Sequence, residues 1–317
     1  MLQWVQAVHW GAMANSAPKE RHRLFDDPFI ARLEQLHLIA KRLTTRGTSP
    51  GQRRSRQMGD GLEFADHRDY TPGDDVRYID WPYFGRMEKL LLRMFHQHSE
   101  AVVTILLDAS GSMGLGESPG KFDYARRAAG ALAYVAMGGL ERVNLRTFAE
   151  GLGEQFAAGR NRGQILQVLD WLTGLTPTGQ TQLLAATEQI SRSRPTGGAV
   201  LVLSDLLGCQ EQLGQSLARL RSVGHDVAVL HIISPADSEP PAAGGVLLEE
   251  IETHQRQSIT ITPSIADSYR RVWAKFCAGC QAVCTSGGAT YIAARTDQPL
   301  DRLILQTLRK AGVVGEY

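Results

Sequence analysis

Asp108, Ser110 and Ser112 stand at alternate positions in the string DASGSM, one carboxylate and two hydroxyls on what reads as a tight turn, with Gly111 relieving its backbone. Hard oxygen donors of this kind suit Mg2+, with Mn2+ or Ca2+ as alternatives, held by oxygens with some water retained. Two more pieces carry the same chemistry: Thr181 in the glycine-containing loop PTGQT, and Asp205 in VLVLSDLL. Two carboxylates leave a divalent cation with an open position, which an Asp or Glu of a partner protein could fill. The expectation is a metal centre of Asp108, Ser110, Ser112, Thr181 and Asp205, with no residue given a catalytic role.

Such a centre needs elements that bring distant segments to one edge. AVVTILL, which ends at Asp108, is a continuous apolar strand of the kind buried on both faces of a parallel sheet. AVLVLSDLL places Asp205 at the end of another. Open α/β sheets bind ligands outside the carboxyl ends of their strands. From about residue 101 the chain alternates in this way. Strands are expected in RVNLRTFA, HDVAVLHII and ATYIAA, with a short edge strand in GEQFA. Helices are expected from Lys121 to Gly138 and in RGQILQVLDWLTGL, TQLLAATEQISRSR, QEQLGQSLARLRS and QPLDRLILQTLRKAG. GVLLEEIET and SITIT read as a small antiparallel pair. The fold class is α/β, a doubly wound and mostly parallel Rossmann-like sheet over residues 101–317, with an N-terminal helical and small β extension.

Residues 1–58 comprise a tail, a helix and a basic linker. In DDPFIARLEQLHLIAKRL, Ile30, Leu33, Leu36, Ile39 and Leu43 recur at helical steps, and Asp26 and Asp27 favour the helix start. The following run of Lys41, Arg42, Arg46, Arg53, Arg54 and Arg56 has no aromatic interleaving, so a solvated or partner-facing linker is preferred to a phosphate contact. Residues 59–100 hold short β-prone pieces around Pro72–Gly73 and a dense mixture of charges. Glu63, Arg68, Tyr70, Asp74, Asp75, Arg77, Asp80, Trp81 and Arg86 read either as an internal ion-pair network or as a docking surface.

Composition narrows the function classes. The +1 net charge gives no reason to expect nucleic acid as a partner. No apolar run approaches the roughly 18–20 residues that span a bilayer, so the cytoplasm is the expected compartment. The tail lacks a signal-peptide pattern. Its Trp4, Val5, Val8 and Trp10 could line a short amphipathic turn; a poorly ordered or partner-docked tail is preferred there to peripheral membrane contact. Cys277, Cys280 and Cys284 lie on the apolar stripe of YRRVWAKFCAGCQAVC and read as packing rather than as a metal or redox cluster.

Enzymatic patterns fit poorly. A dehalogenase-type aspartyl nucleophile would want a carboxylate where Ser110 stands. GLGESPGKF is too short for a phosphate loop and has Phe122 in place of the magnesium-holding hydroxyl. The nucleophile-elbow match from Gly47 to Gly51 lies in the basic linker, without a flanking strand or helix. The nine histidines form no metal-ligand spacing.

The three oxygen-bearing pieces together resemble the metal-ion-dependent adhesion site of von Willebrand factor A domains. By that likeness Ser110, Ser112 and Thr181 would ligate directly, and Asp108 and Asp205 directly or through water. The run LEFADHRDYTPGDDVRYIDWPYFGR, with FDDPFIARLEQL before it and DASGSM and KFDYARRAAGALAYVA after it, resembles the bacterial family called domain of unknown function 58. The likeness extends from about Phe25 to the C-terminus. It implies a von Willebrand factor A-like fold and work beside a MoxR-type AAA+ ATPase, in a chaperone-like or complex-assembly role. Many relatives carry N-terminal membrane helices; this sequence shows none. The leading expectation is a non-enzymatic, metal-dependent adaptor that binds an acidic residue of a protein partner. The alternatives are a metal-dependent hydrolase, or a structural subunit whose metal site is closed by an internal carboxylate such as Asp74 or Asp75.

Overall fold

The structure, a computed structural model, describes residues 8–11, 24–44, 58–59, 63–96, 102–115, 120–138, 142–159, 162–193, 197–240, 244–250 and 256–310. In chain order these form β1 (Val8–Gly11), α1 (Asp27–Thr44), β2 (Met58–Gly59), β3 (Glu63–Asp69), α2 (Trp81–Met87), β4 (Leu91–His96), β5 (Val102–Asp108) and α3 (Lys121–Gly138). There follow β6 (Arg142–Phe148), β7 (Leu152–Ala158), α4 (Ile165–Gly174), α5 (Leu183–Ser193), β8 (Ala199–Ser204), α6 (Gln210–Ser222), β9 (Asp226–Ile233) and α7 (Pro235–Ser238). The last elements are β10 (Gly244–Glu250), β11 (Arg256–Ile261), α8 (Pro263–Ser286), β12 (Thr290–Arg295) and α9 (Leu300–Lys310). The chain divides into one unit of residues 1–50 with 102–317 and a second of residues 51–101.

In the larger unit, six strands form a sheet in the order β12-β9-β8-β5-β6-β7. The neighbours are parallel except for β7, which returns antiparallel on β6 at the edge. From β5 the chain winds outward to β6 on one side and then crosses to β8 on the other, so the winding reverses between β5 and β8. That reversal opens a crevice at the carboxyl ends of these two strands, the usual ligand position in such sheets. Both strands are buried almost end to end, as their apolar runs require.

Alternate residues of β5 feed two cores. Ile105 and Leu107 pack with Ala125, Leu132 and Leu172 on the face covered by α3 and α4, whereas Leu106 packs with Leu183, Leu213 and Trp273 under α5, α6 and α8. The helix α1 belongs to this unit: its Phe29 and Leu33 are buried in the first core beside α3. Arg127 lies over the Phe29 ring and donates to the Leu24 carbonyl oxygen at 2.7 Å. Cys280 and Cys284 are buried in the second core, with Cys277 packed against it at the edge, so the cysteine stripe of α8 is packing as read from the sequence.

The N-terminal tail differs from its expectation. Val8–Gly11 forms neither a turn nor a loose segment but a strand, β1, paired antiparallel with β10, which in turn pairs with β11. Alternating VHW offers β-prone residues whose backbone groups are satisfied by joining an open edge. The expected β10–β11 pair is present, with β1 as its third strand. Trp4 and Val5, the linker from Arg46 to Arg56 and the elbow-like run at Gly47–Gly51 lie outside the described residues. Among the described residues, no helix is long and apolar enough to cross a membrane.

The second unit is a three-stranded antiparallel sheet in the order β2-β4-β3. Asp80 caps α2 by accepting from the Tyr83 N–H at 3.0 Å, and Pro82 occupies its first turn. Ile79 and Leu92, opposed across a bridge, are its buried apolar pair.

Candidate metal centre

The DASGSM string leaves β5 at Asp108 and turns at once. The Ser110 N–H donates to Asp108 Oδ1 at 2.9 Å, and residues Gly111–Gly114 form a single 3-10 turn. Two backbone bonds clamp this turn to the following loop: Thr178 N–H to the Ala109 carbonyl at 2.7 Å, and Gly111 N–H to the Gly179 carbonyl at 2.9 Å. Gly179 has φ +79, and a Cβ there would meet the Glu150 carboxylate at 3.3 Å. The clamp therefore needs glycine for conformation as well as for space.

A second tight turn leaves β8. Ser204 Oγ donates to Asp108 Oδ2 at 2.5 Å and accepts from the Leu206 N–H at 2.9 Å. Asp205 Oδ1 accepts from the Leu207 N–H at 3.1 Å. Leu206 sits at φ 57 and is fully buried, a conformation that non-glycine residues rarely adopt and that its neighbours here over-determine.

Between the two turns the oxygens converge. Ser110 Oγ and Ser112 Oγ are 3.1 Å apart, and Ser112 Oγ donates to Asp205 Oδ1 at 3.2 Å. Adjacent ligands on an octahedron with metal–oxygen bonds of about 2.1 Å stand about 3.0 Å apart. Ser112 Oγ thus stands from Ser110 Oγ and from Asp205 Oδ1 at the spacing of neighbouring Mg2+ ligands. Asp108, Ser110 and Asp205 are at most 1% exposed and Ser112 is 9% exposed. Both carboxylate oxygens of Asp108 already accept protein donors, so it suits an indirect role behind the serines. Burial, and then the neighbouring Asp205 charge, push the Asp108 carboxyl up to about 7 against the hydrogen bonds from Ser204 and Ser110. A cation would relieve that strain.

Four of the five residues expected from sequence are brought together. Thr181 lies in the clamped loop and is half-buried, but its side chain makes no hydrogen bond with the other four.

Three participants were not foreseen. Lys121, the first residue of α3, has its side chain 1% exposed and donates from Nζ to Asp205 Oδ2 at 2.7 Å and to Asp237 Oδ1 at 3.2 Å. Burial opposes its charge, and Asp205 and Asp237 more than offset this, so its ammonium is held above the usual lysine range. Asp237 belongs to α7, just after β9, where a capping box with Ser234 fixes it, and the Tyr269 hydroxyl donates to its backbone carbonyl at 2.7 Å. Ser204 is the third. Their signals in sequence were slight: Lys121 reads only as a helix start, and Ser234–Asp237 fall in no expected element or motif.

Beneath Asp205, the His231 ring donates to or accepts from the Tyr291 hydroxyl at 2.7 Å, and lies among Trp273, Phe276 and Tyr291. Burial pushes its imidazole down to about 4, so it stands neutral.

In the second unit several of the charged residues form local pairs. Arg68 donates to Asp74 Oδ1 at 2.7 Å, and Asp74 also accepts from the backbone and hydroxyl of Thr71. These bonds, the Thr71 hydroxyl first, hold the Asp74 carboxyl down to about 2. Arg77 grips Asp75 with its guanidinium, Asp80 accepts from the His67 ring at 2.9 Å, and Arg86 donates to the Pro82 carbonyl. Tyr70 joins through its backbone N–H to the Leu90 carbonyl, and Glu63 lies opposite His96 in the β3–β4 register. Trp81 is 56% exposed, with Phe84 packed edge-on against it.

Residues 66–276 match the family described as protein of unknown function DUF58. An uncharacterized protein of Mycobacterium tuberculosis is 26% identical over 279 residues, covering 86% of this chain and 87% of its own. An uncharacterized protein of Mycobacterium avium is 29% identical over 145 residues, 44% of this chain and 83% of that one. Among solved structures, BatB from Bacteroides thetaiotaomicron is 17% identical, covers 67% of this chain and 98% of its own, and has a TM-score of 0.41. An aerotolerance-related membrane protein from Bacteroides fragilis is 21% identical with a TM-score of 0.41, over 65% and 97% of the two chains. At TM-scores this low the fold assignment rests on the strand order alone. With its family match spanning more than half of the sequence and its doubly wound sheet ordered around β5 and β8, the chain belongs to the DUF58 family and has a von Willebrand factor A-like fold.

Proposed function

We propose that this protein is a non-enzymatic adaptor that binds an acidic residue of a protein partner through a Mg2+ ion held by Ser110, Ser112 and Asp205, with Asp108 behind them and Thr181 on the clamped loop. The observation that carries the reading is the succession of Ser110 Oγ, Ser112 Oγ and Asp205 Oδ1 at 3.1 and 3.2 Å, at the reversal of the sheet. When bound, the ion supplies Lewis acidity at a position a partner carboxylate can take. The chain's own residues do the rest: the two turns orient the hydroxyls, and Ser204 holds Asp108 in place.

A non-catalytic role is supported by what faces the oxygens. His231 is buried and, with its imidazole pushed down to about 4, only weakly basic, and both Asp108 oxygens accept protein donors, which disfavours either as a base for a bound water. Closure by an internal carboxylate is disfavoured because Asp74 and Asp75 are already engaged with Arg68, Thr71 and Arg77. The family resemblance makes a MoxR-type AAA+ ATPase the partner to try first. Its co-purification with the tagged chain should require Mg2+, be lost in EDTA and be lost in the folded Asp108→Ala variant. Equal recovery in Mg2+ and EDTA would overturn the reading.

A further inference from the structure

A buried lysine is unexpected at a centre that is to hold a metal. Lys121 reaches the crevice from the first turn of α3, and its ammonium is enclosed by Asp205 Oδ2 and Asp237 Oδ1. Asp205 is thereby divided between two cationic demands: Oδ2 serves Lys121, while Oδ1 faces Ser112. Asp237 is equally divided, since Oδ2 accepts the Ser234 N–H and only Oδ1 is left for Lys121. The crevice thus sets the three carboxyl groups of Asp108, Asp205 and Asp237 against the single ammonium of Lys121, an excess of acidic groups suited to a divalent ion.

A buried carboxylate without a counter-charge is costly, and breaking a buried pair by removing one partner is strongly destabilising. Lys121 therefore meets the need of Asp205 when no metal is present. The same ammonium repels an incoming divalent ion across a low-dielectric interior.

We propose that Lys121 is a built-in counter-ion of the centre: bridging Asp205 and Asp237, it keeps the metal-free crevice folded and sets a weak, readily reversible affinity for Mg2+. The proposal deepens the metal reading above and rests on it. Lys121 is a positioning residue here; it is too deeply buried to touch a partner.

Two substitutions are expected to act in opposite directions. Lys121→Met keeps the length of the apolar stem and removes the charge, leaving Asp205 and Asp237 without a partner. Asp237→Asn keeps an oxygen for the Ser234 N–H, removes one negative charge and leaves the ammonium wholly to Asp205. Equilibrium dialysis of the EDTA-stripped full chain against Mg2+ should show Lys121→Met binding roughly tenfold more tightly than wild type, and Asp237→Asn roughly three- to tenfold more weakly. Thermal melting supplies a readout that a merely structural lysine would not move. Lys121→Met should melt well below wild type in EDTA and recover more than wild type does on adding Mg2+, whereas loss of packing alone would lower both curves equally. Folded Lys121→Met with unchanged or weaker Mg2+ affinity would overturn the proposal. Should that variant fail to fold in either condition, Asp237→Asn decides: weaker binding supports the counter-ion, and equal or tighter binding contradicts it. Wild type that takes up no Mg2+ would defeat the metal reading. In that case Mg2+ uptake by Lys121→Met would still show the ammonium holding the place of the ion, and no uptake by either would sink both.

Discussion

At the residue scale, the Asp108 carboxyl governs how the metal-free protein responds to pH. Its folded value near 7 lies above the ordinary 3.8, because burial and then Asp205 disfavour the anion. The native state therefore holds a proton that the unfolded chain has released between about 4 and 7, and stability contributed by Asp108 falls as pH rises through that window. His231 works the other way. Pushed down from 6.5 to about 4, it contributes stability that is lost as pH falls through its own range. The two slopes largely cancel in the wild type from about 4 to 6.5, so the profile must be read by difference. Asp108→Asn in EDTA should be more stable than wild type by about 2–4 kcal/mol at pH 7.5, with the gap closing towards pH 4, as urea melts across pH would show. In Mg2+ the order should reverse. Gly179→Ala tests the clamp: its φ of +79 and the Glu150 contact predict a loss of about 1–2 kcal/mol in chemical denaturation.

At the scale of elements, legibility followed periodicity and strand-end chemistry. The continuous apolar runs of β5 and β8 announced a parallel sheet, and the oxygens directly after them announced the site, because a strand end fixes where its next residues lie. The helix α1 was legible from Leu33 and its spacing, but not its partner, since nothing in a single amphipathic stripe says which surface it covers. Leu33→Ala, at 2% exposure beside α3, should cost about 2–5 kcal/mol in denaturant melts, a loss much larger than a loosely docked helix would give. Lys121 and Asp237 were illegible for a related reason. They are 116 residues apart and meet only once β5, β8 and β9 have joined one sheet, which brings the segments after β5 and β9 to the same edge. Charged residues carry no period, so the sequence of the second unit showed many charges without showing that Arg68–Asp74 and Arg77–Asp75 are local pairs. The tail strand β1 escaped notice because four residues are too short a run for alternation to count.

At the scale of the whole molecule, two cores flank the sheet whose strand ends carry the two turns, and in the crevice between the turns carboxyl groups outnumber the one ammonium. Ligands that bind only the folded state raise its stability by mass action, roughly 2.7 kcal/mol at a hundredfold excess over Kd. Mg2+ should therefore raise the melting temperature of the full chain, and added salt should diminish the effect little, because the centre is buried. The most direct test of the central claim is isothermal titration of Mg2+ into the EDTA-stripped full chain and into Asp108→Ala. The wild type should show one saturable site and the folded variant none. No binding by the wild type, or equal binding by both, would contradict the claim.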